Sequence, residues 1–229
     1  MRPVLVLAMS LFFLRIDAQD STRIFIPAGK SFSDVAGPDK AYRFPNFTDG
    51  QVYFRDGSMT AAKMNYDFLN KELEFISPGG DTLAIVKEQA INIKNIIIDS
   101  ITFYYFNGYM EEMAHNEYGR LLKQQFYVLA GAEKIGAFDQ PSGNSSIEAY
   151  SSVKDRTGRS RNLVVKENLI LVMATEYFIG DTYNTVLRAT KRNMLELYPK
   201  KRTQIESYLR TNRVNFSSGR DLAKLFSSF

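Results

Sequence analysis

Between residues 50 and 106, apolar and polar side chains alternate with the two-residue period of half-buried β-strands. In QVYFRDG, residues 51–57, Val52 and Phe54 fall on one face of a strand, and Asp56-Gly57 supplies the residues that a tight hairpin turn prefers. We therefore predict a first hairpin, with its partner strand over residues 58–64.

A second hairpin is predicted around SPGGD, residues 77–81, because proline and glycine interrupt an alternating pattern that resumes after them. On its first strand, Leu73 and Phe75 alternate with Glu72 and Glu74. This alternation predicts that the two apolar side chains face the core and that both glutamates point to solvent. The glycines are interpreted as serving the geometry of the turn and not a chemical site.

The apolar run over residues 90–106 is too long for one ordinary strand and is predicted to divide near Asp99. Residues 110–131 fit either a helix or a strand. Residues 133–168 are rich in serine, glycine, asparagine and charge, which predicts a long loop or a mobile hairpin tip. Residues 169–180 then supply one or two final strands.

A helical period replaces the strand pattern near the C-terminus. Thr185 is predicted to cap a first helix that Pro199 ends, and a second helix is predicted over residues 201–211. A third helix is predicted to begin at Ser218, with four apolar residues on one stripe: Leu222, Leu225, Phe226 and Phe229.

These elements predict an α+β protein that is mainly β, with a bent antiparallel sheet or partial barrel followed by a short C-terminal helical tail. The predicted organisation is a signal peptide over residues 1–18, a β-rich domain over 19–187, and a basic helical tail over 188–229 that packs on the β domain.

The first residues predict export. Arg2 precedes an uncharged apolar stretch, residues 4–14, that is shorter than the roughly 20 residues needed to span a bilayer, and Ala18 offers a small residue before a cleavage point. The chain contains no cysteine, so its core is expected to hold without disulfides. We expect an exported protein that is periplasmic, outer-membrane-associated or secreted; a retained membrane anchor is the disfavoured alternative.

Several segments carry a resemblance: GQVYFRDG, MNYDFLNKELEFI, GDTLAI and, near the C-terminus, LELYPKKRTQIESYLRTNRVNF. Together they resemble a functionally uncharacterised family of exported β-rich proteins from Gram-negative bacteria of the Bacteroidetes type. The resemblance covers most of the predicted mature chain. It implies a compartment, the cell envelope, and a β-rich front with a short helical tail, but no activity and no site residues.

Composition narrows the possible chemistry. His115 is the only histidine, and the chain has no cysteine and no Gly-x-Ser-x-Gly motif, which disfavours a Ser-His-Asp hydrolase and a zinc site. We interpret His115 as part of a solvated face, with a weak metal or proton-transfer role as the alternative, and predict no cofactor. Paired carboxylates remain candidates for hydrolysis: Asp56, Asp67, Glu72, Glu74 and Asp81.

The aromatic segment TFYYFNGY, residues 102–109, places one pair of rings on each side of a strand. The favoured interpretation is a strand buried on both faces, whereas an exposed pair would stack on sugar rings or fill an apolar groove of a partner. The candidate ligand or partner contacts are Phe103, Tyr104, Tyr105, Phe106 and Tyr109.

Charge is unevenly distributed along the chain. Residues 188–229 carry ten basic and three acidic side chains, whereas the whole chain has a net charge of only +4. Such a tail fits a solvated or self-docked helical face, which we favour, or an anionic membrane surface or partner. The predicted export disfavours nucleic acid.

We therefore expect an exported, non-enzymatic binding or structural accessory protein of the bacterial cell envelope. The first alternative is a carrier of an apolar, lipid-like ligand in a concave sheet, and the second is a carboxylate-dependent hydrolase. A carrier requires a continuous apolar cavity of roughly 300 Å³ or more, a structural protein fills that space, and an enzyme gathers acids in a cleft.

Overall fold

The computed structural model describes residues 23–135 and 164–229, and the backbone of three two-residue strands between them. The predicted signal peptide and most of the predicted loop over residues 133–168 lie outside the described residues. The described strands are β1 (Arg23–Ile26), β2 (Thr48–Phe54), β3 (Met59–Asp67), β4 (Glu72–Ile76), β5 (Thr82–Ala84), β6 (Ile93–Ile98), β7 (Ile101–Tyr105), β8 (Tyr109–Asn116), β9 (Gly119–Ile135), β10 (Pro141–Ser142), β11 (Val153–Lys154), β12 (Ser160–Arg161), β13 (Asn168–Asp181) and β14 (Val186–Arg188).

The helices are short and lie mainly at the C-terminus. They are α1 (Phe32–Val35), α2 (Pro38–Ala41), α3 (Lys87–Ala90), α4 (Lys191–Leu197), α5 (Arg202–Thr211) and α6 (Gly219–Phe226), with a 3-10 turn at Pro199–Lys201 between α4 and α5. None of the helices in the described ranges has the length and apolar character needed to span a bilayer.

One large open antiparallel sheet dominates the structure, which confirms the predicted fold class. Its strand order is β1-β13-β9-β8-β7-β6-β2-β3-β4-β5, with β10 beside β9 and β14 beside β13, while β11 and β12 pair with each other. The sheet is strongly bent, and the loop after β3 contacts β9. The Tyr127 amide donates to the Phe68 carbonyl at 3.0 Å. The Tyr66 hydroxyl also donates to the Gln125 carbonyl at 3.0 Å.

Both predicted hairpins are present. β2 and β3 pair across the turn that contains Gly57, whose φ of 89° suits a residue without a Cβ. β4 and β5 pair across the SPGGD turn, which the Ser77 amide closes by donating to the Asp81 carbonyl at 2.8 Å. The predicted division near Asp99 is also confirmed, since this residue lies between β6 and β7.

The ambiguous segment over residues 110–131 is extended. It forms β8 and most of β9, which pair with each other around the turn between Asn116 and Gly119. The helical option for this segment is therefore wrong.

The helical tail begins later than predicted. Thr185 is not a helix cap, because residues 186–188 pair with β13 as β14. The cap of α4 is Thr190, whose hydroxyl accepts a hydrogen bond from the Asn193 amide at 3.2 Å. The other two helices match the prediction, and Ser218 caps α6 by accepting from the Asp221 amide at 3.3 Å.

Two hydrophobic clusters cover the concave face of the sheet. The larger cluster lies inside the bend and includes Met64, Leu73, Ile96 and Phe103. The smaller cluster joins Leu121 of β9 and Ile179 of β13 to the buried faces of the C-terminal helices. Those helices contribute Met194, Ile205, Leu222, Leu225 and Phe226. The tail over residues 188–229 thus packs against the sheet.

Candidate functional site

A cavity of about 790 Å³ lies on the concave face, where β2, β3, β4 and β6 meet. Adjacent antiparallel strands direct every second side chain to the same face, so residues from all four strands converge there. The α3 segment and the β2–β3 and β4–β5 turns surround the cavity and leave it open on one side. The cavity therefore has a floor of sheet and a defined mouth.

The interior of this cavity is apolar. Val52, Met64, Ile85 and Ile93 are buried in its wall, and half-buried side chains complete the lining. The half-buried members are Phe54, Ala62, Phe75 and Ile76. Such a lining favours an apolar ligand, because apolar surface leaves water when the ligand enters.

Polar residues occupy the mouth. The Arg55 guanidinium donates through Nε to the Ile91 carbonyl at 3.0 Å, and the Arg55 amide donates to the Asn92 carbonyl at 2.9 Å. These bonds join the β2–β3 turn to the end of the α3 segment. Asp56 lies beside Arg55, so the charges at the mouth largely offset each other.

The aromatic candidates do not form one contact surface. Phe103 and Tyr109 are buried in the larger cluster, where Tyr105 packs on Tyr109 with ring centroids 5.1 Å apart. Tyr104 and Phe106 lie on the opposite face, half-buried and stacked on each other at 6.1 Å. None of these five residues lines the cavity.

The candidate carboxylates are dispersed. Asp56 and Asp81 lie in exposed turns, whereas Asp67 and Glu74 are buried on the face of the β3–β4 pair that points away from the cavity. Glu74 is only 1% exposed, so the prediction that it points to solvent is wrong. Its burial results from Tyr42, which precedes β2 and whose hydroxyl donates to Glu74 Oε2 at 3.0 Å. Glu72 is half-buried, so its predicted exposure is wrong as well.

Burial raises the pKa values of Asp67 and Tyr42. Loss of solvent, together with the nearby Glu74 charge, raises the pKa of Asp67 to about 6. The raised value persists although Asp67 Oδ1 accepts hydrogen bonds from the Leu69 amide at 2.7 Å and the Asn70 amide at 3.2 Å. Burial, and the charges of Glu74 and Asp67, also raise the pKa of Tyr42.

Glu111, another partly buried acid, belongs to a structural ion-pair network. Glu111 of β8 contacts Arg43 Nε at 2.9 Å and Lys123 Nζ at 3.0 Å. Burial opposes its ionisation, but these two cations outweigh that cost and lower the pKa of Glu111. The network ties the segment before β2 to β8 and β9, and we assign it to the fold.

His115 lies on β8 and is largely exposed, with Nδ1 2.9 Å from Glu112 Oε1. The solvated position predicted for it is confirmed. Across the described residues, no three histidine, aspartate or glutamate side chains are grouped so that they could hold a metal ion.

The sequence raised an apolar cavity only as part of the carrier alternative and did not locate it, although Val52, Phe54 and Phe75 were placed correctly on apolar strand faces.

 The alternating pattern identifies Phe75 and its neighbours as apolar but does not tell whether the space in front of them is filled. A usable signal was the short connection between β5 and β6, in which the four-residue helix α3 is the only helix or strand that the structure describes.

Comparison with protein-family models, with curated proteins and with solved structures gives no match to this chain. The resemblance to exported proteins of Bacteroidetes-type bacteria therefore stays a prediction.

Proposed function

We propose that the protein is a non-enzymatic binding protein that holds an apolar, lipid-like ligand in the cavity between β2, β3, β4 and β6. The observation that carries this proposal is the cavity of about 790 Å³ with its apolar lining. Its volume lies within the usual range for small-molecule sites and above the roughly 300 Å³ expected of a carrier. The N-terminal sequence adds the expectation that the protein acts after export.

The distribution of polar groups supports the same proposal. Among the residues that the structure describes, the charged side chains at the cavity are Arg55 and Asp56 at the mouth, and the buried acids Asp67 and Glu74 face away from it. A ligand with a long apolar part fits the interior, and its polar end would remain among the rim groups. The hydrolase alternative has no comparable support, because the candidate acids do not converge in this cleft.

The proposal is tested by titrating the purified protein with the apolar fluorophore N-phenyl-1-naphthylamine, whose emission rises when it leaves water. Ala62→Trp directs a large side chain into the cavity and is expected to weaken binding at least about tenfold, because the indole occupies the apolar space. Lys63→Trp is the matched control, since Lys63 is the next residue of β3 and is exposed on the other face.

Both variants are first compared with the parent protein by thermal melting. If Ala62→Trp does not fold, Thr60→Trp replaces it, because Thr60 is exposed and lies at the mouth. Absence of fluorophore binding to the parent protein, or equal binding to the cavity and control variants, would contradict the proposed function.

A further inference from the structure

Five exposed basic side chains lie on the first two tail helices and the turn between them. We call them the basic surface: Lys191, Arg192, Lys200, Arg202 and Arg210. The acidic residues on α4 and α5 are Glu196 and Glu206. Glu206 pairs with Arg202 at 3.2 Å, so positive charge is in excess.

Apart from the pair between Arg202 and Glu206, helix stability does not explain the positions of these charges. Lys191 and Arg192 occupy the first turn of α4, and Arg202 begins α5, with no acidic residue in the first turn of either helix. Positive charge at a helix N-terminus is unfavourable, because the partial charge of the helix dipole there is also positive. Stability of the helices therefore favours different residues at these positions, and a role outside the fold is the better explanation.

The neighbouring Lys201 differs from the basic surface, because contacts within the fold explain its position. It is half-buried, and its ammonium group lies 4.1 Å from the centre of the Tyr118 ring, so packing and a cation–π contact account for it. The members of the basic surface make no such contact with an aromatic ring among the described residues. Their side chains extend into solvent.

The basic side chains also lie close together. Lys191 and Arg192 of α4 and Arg202 of α5 border one shallow depression, which Leu195 and Glu196 complete. Arg210 lies eight residues after Arg202 on α5, about 80° around the helix axis at 3.6 residues per turn, so it extends the positive surface beyond the depression. The first turns of both helices thus contribute to one continuous positive surface.

We infer that the basic surface docks on an anionic lipid bilayer. The surface is broad and shallow and consists of long, flexible cationic side chains, which suits many headgroups in a plane better than one enclosed anion. Each lysine or arginine brought to such a bilayer strengthens binding, and salt weakens it. This inference does not depend on a ligand in the cavity.

Strand direction fixes how the docked protein would be oriented. The end of β8 lies beside the helices, where Asn116 Nδ2 donates to the Phe226 carbonyl at 3.2 Å. Through the pairing of β8, β7 and β6, this end of the sheet corresponds to Ile98 of β6. The cavity mouth lies at the other end, beside Ile93 and Phe54. The helical tail and the cavity mouth thus lie at opposite ends of the strands, and we expect docking through the basic surface to leave the mouth accessible.

The first test measures binding of the full chain to vesicles of phosphatidylcholine mixed with phosphatidylglycerol, and to vesicles of phosphatidylcholine alone. The variant Lys191→Gln, Arg192→Gln, Arg202→Gln, Arg210→Gln is expected to bind the anionic vesicles about a hundredfold more weakly. The matched control carries glutamine at four exposed basic positions of the front part and has the same net charge: Arg23, Lys30, Lys63 and Lys94.

Near-normal binding of the control together with the loss in the tail variant supports the inference. An equal loss in both variants means that only net charge matters and overturns it. Binding of the parent protein to neutral vesicles as tightly as to anionic ones overturns it too, as does binding to soluble polyglutamate but not to vesicles.

The second test reports orientation and uses the absence of cysteine from the chain. Thr203→Cys introduces a thiol on the exposed part of α5, and Gln89→Cys introduces one at the cavity mouth. Anionic vesicles are expected to slow labelling of the first thiol by a water-soluble maleimide and to leave the second unchanged. Equal protection of the two thiols, or protection of the mouth alone, contradicts the docking orientation.

Discussion

Asp67 and Glu74 are acidic side chains enclosed by protein, with exposed fractions of 7% and 1%. Residues on strands normally alternate between core and solvent, and this rule places both acids on the outer face of the β3–β4 pair. The outer face is covered here by the segment that precedes β2: the Tyr42 hydroxyl donates to Glu74 Oε2, and the Phe44 amide donates to Asn65 Oδ1 at 3.0 Å. Local alternation cannot reveal cover from a segment so far away in the chain.

Asp67 should make the stability of the protein depend on pH. Its pKa of about 6 exceeds the value of 3.8 for an unperturbed aspartate, so the folded state binds the proton more tightly than the unfolded state does. The resulting stabilisation is complete below about pH 4 and is lost as the pH rises through 6. Asp67→Asn is expected to reduce, by up to about 3 kcal/mol, the change in unfolding free energy between pH 7 and pH 4.

Urea unfolding at several pH values measures this difference. Asp49→Asn is the control, because the Asp49 side chain is 90% exposed and its contact with Lys63 lies at the surface. An identical pH dependence in the Asp67→Asn variant and the parent protein would show that Asp67 ionises normally.

At the scale of elements, the two front hairpins were predictable because their signals are local. Asp56-Gly57 and the SPGGD turn each interrupt a clear alternation, and turn chemistry sets the point where the chain reverses. The start of the helical tail was not predictable in this way. Val186 and Leu187 have apolar side chains that fit a helix, but residues 186–188 pair with β13 and join the sheet, so the cap moves from Thr185 to Thr190.

The β4–β5 turn offers a test at the same scale. Gly80 has a φ of 84°, a region that β-branched residues avoid, whereas Gly79 has no positive φ and its surroundings leave ordinary contact distances for a Cβ. Gly80→Val is therefore expected to lower the free energy of unfolding by about 1–2 kcal/mol, and Gly79→Val by clearly less.

Chemical denaturation of the two variants provides the measurement. They share the same added volume at adjacent exposed positions, so their difference isolates backbone conformation. If both valine variants unfold like the parent protein, the turn is not constrained as described.

At the scale of the whole molecule, composition and pattern predicted a mainly β fold with a helical tail, whereas the cavity was raised only as an alternative and was not located. The cavity exists because the sheet bends until the end of β3 meets β9, a contact between residues 59 positions apart in the case of Tyr66 and Gln125. The degree of that bend depends on many long-range contacts together. Sequence patterns report which strand faces are apolar, and the bend decides which of them is left uncovered.

The packing of the tail on the sheet predicts the effect of removing it. Deletion of residues 200–229 removes α5 and α6 and exposes apolar side chains around Leu121 and Ile179, which are fully buried in the intact chain. We expect aggregation and a Tm lowered by at least about 5 °C. Size-exclusion chromatography and calorimetry test this expectation.

Leu222→Ala is the milder comparison, because it keeps the tail and leaves a hole in the same cluster, at a cost of about 2–5 kcal/mol. A truncated protein that stays monomeric and melts like the intact chain would mean that the tail is an independent appendage.

The two longest strands, β9 and β13, run beneath both hydrophobic clusters. β9 supplies Tyr127 to the larger cluster and Leu121 to the smaller, and β13 supplies Leu169 and Ile179 in the same way. Backbone hydrogen bonds pair these strands along almost their whole length. Separating either cluster from the rest would mean splitting this shared ladder, so the front part and the tail should melt as one cooperative unit with a single transition.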